Sequence, residues 1–300
     1  MRILIFGAGF SGRHIGNACA TAGATVAGTT RSKENFSYLE SADVQPLLFD
    51  YETVTPHLRH VLAETTHLVI SIAPPRQEYS TMPDQTVDPV LLALGNSSLA
   101  EIAPGLRWIG YLSTVGVYGD HDGAWINEEA PVNPTSERSR QRVRAEDEWQ
   151  AVSDRAGIPL AIFRLSGIYG PGRNALATAR MGKARRLIKK GQVFNRIHVS
   201  DIAAAVKTAA RNETGGTFNI TDDEPAPPQD VVKFAHDLMG RRPPPEIDFE
   251  TADLSPMARS FYGENKRVSN EKSKSVLGLE YDWPNYRTAL RRMWEEDSWR

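Results

Sequence analysis

Along the first half of the chain, short runs rich in β-branched and aromatic residues alternate with longer stretches whose apolar side chains recur every three or four positions. The short runs are RILIFG from residue 2, TVAGTT from 25, QPLLFD from 45, HLVISIA from 67, RWIGYLS from 107 and LAIFRLS from 160. Each reads as a strand. Between them the spacing predicts helices in GRHIGNACATAG from 12, DPVLLALGNSSLAEIA from 88 and RVRAEDEWQAVSDRAG from 142, the last stopped by Gly157. Alternation of this kind is the signature of repeated βαβ units on a parallel sheet.

After Ser166 the alternation fails. Loops rich in Gly, Pro and Arg follow, then a basic stretch, ARMGKARRLIKKG, read as a helix, and a proline cluster at Pro225 to Pro228. SDIAAAVKTAARN reads as a helix capped by Ser200, and GTFNITD as a strand returning to the sheet. The predicted fold class is therefore α/β, a doubly wound parallel sheet of Rossmann type with a smaller, interleaved C-terminal lobe. The sheet domain is placed at 1–165 with a return at about 196–220, and the substrate-binding lobe at 166–195 and 221–300.

Composition narrows the function. The 300 residues carry 35 Lys and Arg against 37 Asp and Glu, a net charge of -2, which speaks against a nucleic-acid binder with its basic face. The single cysteine, Cys19, shares an apolar helix face with Ile15, Ala18 and Ala22 and reads as a core residue, so no disulfide framework is expected. No apolar run approaches the ~20 residues of a membrane span, and a cytoplasmic protein is expected. The seven histidines lack ligand spacing, so no metal site is expected.

IFGAGFSGRHIG places Gly7, Gly9 and Gly12 in the G-x-G-x-x-G spacing, straight after a strand and opening a helix. The first glycine permits a tight turn and the second lets backbone approach a pyrophosphate. The third allows close helix–strand packing, while the helix N–H groups meet the negative charge, with Phe10 and Ser11 in the same turn. About twenty residues on, an NAD binder sets an acid on the ribose 2′-hydroxyl. Here stand Thr30 and Arg31. Arginine would fork onto a 2′-phosphate, so NADP is preferred to NAD. Arg13 is a second phosphate contact or a solvated helix residue. Asp50 either accepts from the adenine amino group or caps the helix over YETVTPHLRHVL, and Ser71, Ala73 and Pro74 are expected along the cofactor groove.

These motifs, followed in order by YLSTVGVYGD, FRLSGIYGPGR, RIHVSDIAAAV and GTFNITDDEP, resemble the extended short-chain dehydrogenase/reductase family, which includes nucleotide-sugar epimerases and dehydratases. The resemblance covers most of the chain. It implies a Ser or Thr that orients the substrate oxygen, a Tyr acid/base and a Lys four residues later. Thr114, with Ser113 beside it, keeps the first position. The tyrosine position falls on Arg138 and the lysine position on Arg142, which marks an atypical branch. Arginine cannot shuttle protons near neutrality. Arg142 could still hold the ribose, and Arg138 could present a fork to a carboxylate or phosphate, unless both belong to a solvated helix face. Tyr118 is the best remaining proton donor, Tyr169 reads as a packed tyrosine and His198 as structural. The arginine that grips the pyrophosphate in sugar-nucleotide members is Phe194 here, leaving Arg173, Arg185 and Arg186 as anion contacts or as a solvated face. The resemblance also implies a small-molecule substrate and pairing into a homodimer.

Two functions follow. The first is an NADP-binding oxidoreductase or epimerase-like enzyme acting on a small anionic carbonyl or hydroxyl compound. The alternative is a non-catalytic NADP-binding sensor on the same scaffold.

Overall fold

The computed structural model describes residues 1–74, 86–95 and 98–300, with nothing said of the Met257 side chain. In chain order the first elements are β1 (Arg2–Phe6), α1 (Phe10–Thr21), β2 (Thr25–Thr30), α2 (Phe36–Glu40), β3 (Gln45–Leu48), α3 (Pro56–Glu64) and β4 (His67–Ile70). There follow α4 (Pro89–Leu94), α5 (Leu99–Ile102), β5 (Trp108–Thr114), β6 (Trp125–Ile126), α6 (Glu137–Ala156), β7 (Leu160–Leu165), β8 (Gly167–Tyr169) and α7 (Ala175–Arg180). The remainder comprises β9 (Arg186–Ile188), β10 (Arg196–His198), α8 (Val199–Arg211), β11 (Gly216–Ile220), α9 (Pro228–Leu238), β12 (Glu246–Asp248), α10 (Pro256–Ser260), β13 (Arg267–Val268), α11 (Glu271–Leu277) and α12 (Tyr286–Glu295).

Seven strands form one sheet in the order β11-β7-β5-β4-β1-β2-β3. The β1–β2, β1–β4, β2–β3 and β4–β5 pairs are parallel, which gives the doubly wound α/β sheet that the alternation predicts. The chain runs outward from β1 to β3 and then returns to β4 on the other side of β1. The carboxyl ends of β1 and β4 thus flank the switch point where open α/β sheets bind ligands. All four residues of β4 are buried, as are Ile3 to Phe6 of β1, as a sheet covered on both faces requires. Among the described residues no helix is long and apolar enough to cross a membrane.

The chain divides into two compact units. One comprises Met1–Val117, Glu137–Arg164 and Ile202–Phe218, and the other Tyr118–Ser136, Leu165–Asp201 and Asn219–Arg300. The core of the first gathers Leu4, Phe6, Ile70, Ile109, Tyr111 and Trp149. That of the second gathers Leu176, Ala235, Tyr286, Leu290, Met293 and Trp299. Cys19 is buried, and burial lifts its thiol to about 11, which keeps it an inert core residue.

Several local expectations are corrected. The helix expected over 88–103 is two: Gly95, at φ +63, ends α4, and Ser98 opens α5 with a capping box to Glu101, residues 96 and 97 lying outside the described chain. Past Arg180, the last residue of α7, the basic run is not a helix. Gly182, at φ +67, follows the end of α7, and Arg186 to Ile188 pair in parallel with β12. Arg186 is held by Glu246 at 2.6 Å and Arg185 by the Asp253 carbonyl at 2.9 Å, so both are structural ties. α8 begins at Val199, which puts Ser200 inside the helix rather than at its cap. α3 is capped by Thr55, whose Oγ1 accepts from Leu58 N, because Asp50 instead closes its own turn.

The second unit buries two carboxyl groups. Burial lifts Asp222 to about 8 and Asp201 to about 7, although the Asp282 and Trp283 N–H groups donate to Asp201. A folded-state pKa above the unfolded one favours the folded state most at low pH, and this contribution is lost as pH rises through about 8. The unfolding temperature of the wild type is therefore expected to fall from pH 5 to pH 8 more steeply than that of Asp222→Asn. Parallel melting curves would refute this.

Candidate cofactor and active site

The β1–α1 turn is shaped by its glycines. Gly7 has φ +87, and a Cβ there would lie 2.7 Å from Ile72 Cγ1; a Cβ on Gly12 would lie 2.5 Å from the Gly7 carbonyl oxygen. At Gly9 a Cβ would meet nothing within 4 Å, so this glycine borders open space where a ligand can approach the backbone. Helix α1 starts there with no side-chain cap and no acid in its first turn, so the positive helix end is not neutralised locally. Ser11 and Gly12 are buried against the strand while Phe10 is half-buried. This cradle fits a pyrophosphate.

Backbone bonding brings the end of β2 to the same turn. Ala8 N donates to the Thr29 carbonyl at 2.8 Å, and Gly7 N to Thr29 Oγ1 at 2.9 Å. Past that point Thr30 Oγ1 accepts from Asn35 Nδ2, shaping the loop that carries Arg31. Arg31 is exposed, its guanidinium 5.5 Å from the Tyr51 ring centre, and Arg13 lies 4.1 Å from the Tyr38 ring centre. Tyr51 sits in the left-handed backbone region at φ 82, a conformation that tyrosine adopts only under constraint. Arg13 Nε is buried with no hydrogen-bond partner, and among the described residues neither arginine forms an ion pair. Asp50 follows β3 with its Oδ1 accepting from Glu52 N and Thr53 N. The Thr53 and Glu52 N–H groups hold its carboxyl below the usual range. Ser71 N donates to the Phe6 carbonyl at the end of β4, leaving Ser71 half-buried, Ala73 exposed and Pro74 half-buried.

At the end of β5, Thr114 is half-buried and its Oγ1 accepts from Gly116 N at 3.1 Å. Ser139, buried in the first turn of α6, lies on the other side of Gly116: a Cβ there would be 3.2 Å from Ser139 Oγ and 3.4 Å from Thr114 Oγ1. In the linear sequence Ser139 is inconspicuous, standing between Arg138 and Arg140. Arg142 is buried, and its Nη1 donates to the Leu112 carbonyl at 2.8 Å and to Tyr111 Oη at 3.1 Å. Arg138, four residues earlier, is exposed and does not follow Arg142 into the interior. Tyr118 belongs to the second unit, is fully buried, and donates its hydroxyl to Asn219 Oδ1 at 2.8 Å. His198 stacks on Trp283 with ring centres 4.0 Å apart, a packing role.

A buried ionic cluster that pattern alone did not indicate lies behind these residues. Glu146, in the middle of α6, is 4% exposed. It accepts from the Ser113 hydroxyl and from Arg164 through Nη2 at 2.7 Å and Nε at 3.3 Å. The cluster ties the ends of β5 and β7 to α6, and it fixes the strand end on which Thr114 stands.

The profile of the NAD dependent epimerase/dehydratase family matches residues 3–221. The chain belongs to that family. A conserved protein of unknown function from Silicibacter pomeroyi is 44% identical, covers 99% of both chains and superposes with a TM-score of 0.85. The 3-diazoavenalumate denitrifying reductase of a Streptomyces species is 27% identical over 56% of this chain, a match that spans only 58% of the reductase. Human epimerase family protein SDR39U1, solved with NADPH, shares the fold at 19% identity over 98% of this chain and 99% of its own, with a TM-score of 0.73. The dTDP-glucose 4,6-dehydratase of Bacillus anthracis, solved in complex with NAD, shares it at 20% identity over 99% and 97%, with a TM-score of 0.77. The epimerase/dehydratase family and its fold thus account for the glycine turn and bring a nicotinamide cofactor with them.

Proposed function

We propose that this epimerase/dehydratase-family chain binds NADP and acts as an oxidoreductase or epimerase-like enzyme on a small anionic carbonyl or hydroxyl compound. The observation that carries the cofactor choice is the pair Arg13 and Arg31, each over a tyrosine ring and neither bound to a carboxylate. Where an NAD binder needs an acceptor for two ribose hydroxyls, these residues offer cationic donors suited to a 2′-phosphate. Gly7, Gly9 and Gly12 with the α1 N-terminus hold the pyrophosphate, Asp50 meets the adenine, and Ser71, Ala73 and Pro74 border the groove. When bound, NADP supplies hydride chemistry at the nicotinamide ring.

The chain's own contribution is orientation. Thr114, with Ser139 beside it, offers hydroxyls to a substrate oxygen. The exposed Arg138 meets an anionic group that arrives with the substrate. Because the Tyr118 hydroxyl is buried and engaged with Asn219, water handles the proton.

A second reading has a specific observation behind it. Arg142 stands where the family's lysine is expected, and one of its nitrogens is already committed to Leu112 and Tyr111. That geometry suits a protein that holds NADP without turning it over. The test is a panel of carboxylate- and phosphate-bearing aldehydes and ketones incubated with purified protein and NADPH, followed by nicotinamide absorbance. Consumption of NADPH with at least one of them is expected, with Arg138→Ala raising KM more than it lowers kcat. Tight NADPH binding with no consumption across the panel would replace the enzyme reading with the non-catalytic one.

A further inference from the structure

The second unit contains a cavity of about 240 Å³ among α7, α9 and α12, lined by Tyr169, Arg196, Tyr286, Val231 and Leu290. Its remaining wall, from Ala175, Thr178, Ala184, Pro228 and Val232, is half-buried and forms the mouth. None of these residues belongs to the cofactor turn or to the α6 cluster. The lining is apolar except for Thr178, two phenols and one guanidinium, and Arg196 is its single charged residue.

Arg196 uses Nη1 to hold the Phe194 carbonyl at 2.9 Å and the Ala226 carbonyl at 3.1 Å. Among the described residues its other nitrogens make no hydrogen bond, and no carboxylate lies within ion-pair distance of it. The acidic group that acts on it most strongly is Asp222, whose carboxyl burial pushes up to about 8. Tyr286 is 1% exposed and Tyr169 8%, and both hydroxyls lack hydrogen-bond geometry to any described residue. Asp222 lies near the Tyr169 phenol. The start of α9 contributes Pro228, Val231 and Val232, and its own Asp230 offsets the positive helix end. A cation outside ion-pair distance of any described carboxylate and the buried Tyr286 hydroxyl without an acceptor favour negative charge in the same cavity.

The size and lining define the rest of the ligand. A dry cavity of roughly 150 Å³ accepts a benzene ring, so about 240 Å³ admits one ring or a short chain together with a carboxyl group. With a single cation in the wall, a monoanion is better matched than a phosphate dianion. We propose that this cavity binds a small organic monocarboxylate, its carboxylate on Arg196 and the Tyr286 hydroxyl and its apolar body against Val231, Val232 and Leu290.

Benzoate is the probe, titrated by calorimetry into the full-length protein, with benzamide and inorganic phosphate as comparators. Benzoate is expected to bind saturably, and each comparator at least about tenfold more weakly, the loss corresponding to a charge-assisted contact. Tyr286→Phe removes only an unpartnered hydroxyl, so it should weaken benzoate several-fold while the unfolding temperature holds or rises. Val232→Trp should close the mouth and abolish binding. NADPH affinity is expected to be the same in both variants and in the wild type, which separates this site from the cofactor reading. The proposal is overturned if benzoate does not saturate, if benzamide or phosphate binds equally well, or if neither variant changes benzoate affinity.

Discussion

Arg31→Asp is expected to weaken NADPH binding by about a hundredfold and to leave NADH binding unchanged or slightly tighter. A charge-assisted hydrogen bond contributes about 1.5–3 kcal/mol, and each 1.4 kcal/mol is tenfold in affinity. The substitution removes such contacts and sets a carboxylate against a 2′-phosphate, while supplying the acceptor that two ribose hydroxyls want. Fluorescence titration of both nucleotides against both proteins reads the effect directly. Because Arg31 is exposed, the NADPH preference should also shrink as salt is raised. Equal weakening of the two nucleotides would mean that Arg31 shapes the loop and does not choose the cofactor. Wild-type protein that binds neither would remove the cofactor assignment altogether.

The second large effect is on stability. Glu146→Ala leaves the Arg164 guanidinium buried, with both of its bonds to Glu146 lost. Removing one partner of a buried pair typically costs about 3–5 kcal/mol, because the remaining charge is neither solvated nor compensated. At roughly 2–4 °C per kcal/mol for a domain of about 150–250 residues, the unfolding temperature should drop by about 10 °C. The double variant Glu146→Leu with Arg164→Met should recover much of that loss, since no charge is left stranded. Thermal melts by circular dichroism decide the matter. A single-variant loss under about 1 kcal/mol would show that water reaches the pair and that it behaves like a surface ion pair.

The parts of the fold that were legible in the sequence are those whose signal is local. The strands β1, β2, β4 and β5 are short β-rich runs bounded by turn residues, and their pattern survives into the structure because burial on both faces demands apolar residues along most of the strand. The glycine turn is legible for the same reason: only glycine satisfies the close contacts at residues 7 and 12, whatever the distant chain does. Where reading failed, a distant partner had decided. Lys183 to Lys190 carries enough charge to look like a solvated helix, yet Glu246 and the backbone of β12 hold Arg186 to Ile188 in a strand. Asp50 carries the residue type of a helix cap, but its carboxylate closes a turn while Thr55 caps α3.

The parallel α/β sheet and the glycine turn were thus legible in the sequence alone, since periodicity and the steric uniqueness of glycine act over a few residues, whereas the strand order that creates the switch point was not. Tertiary structure decided the character of α6. Its arginines and acids are nearly indistinguishable in a linear pattern, but burial differs among them: Arg142 is buried on the Leu112 carbonyl and Glu146 on Ser113 and Arg164, while Arg138 is exposed. The same holds for the cavity around Arg196, where residues from positions 169 to 290 converge. A charge has no burial of its own; it acquires one from the elements that fold against it, and that information lies far along the chain.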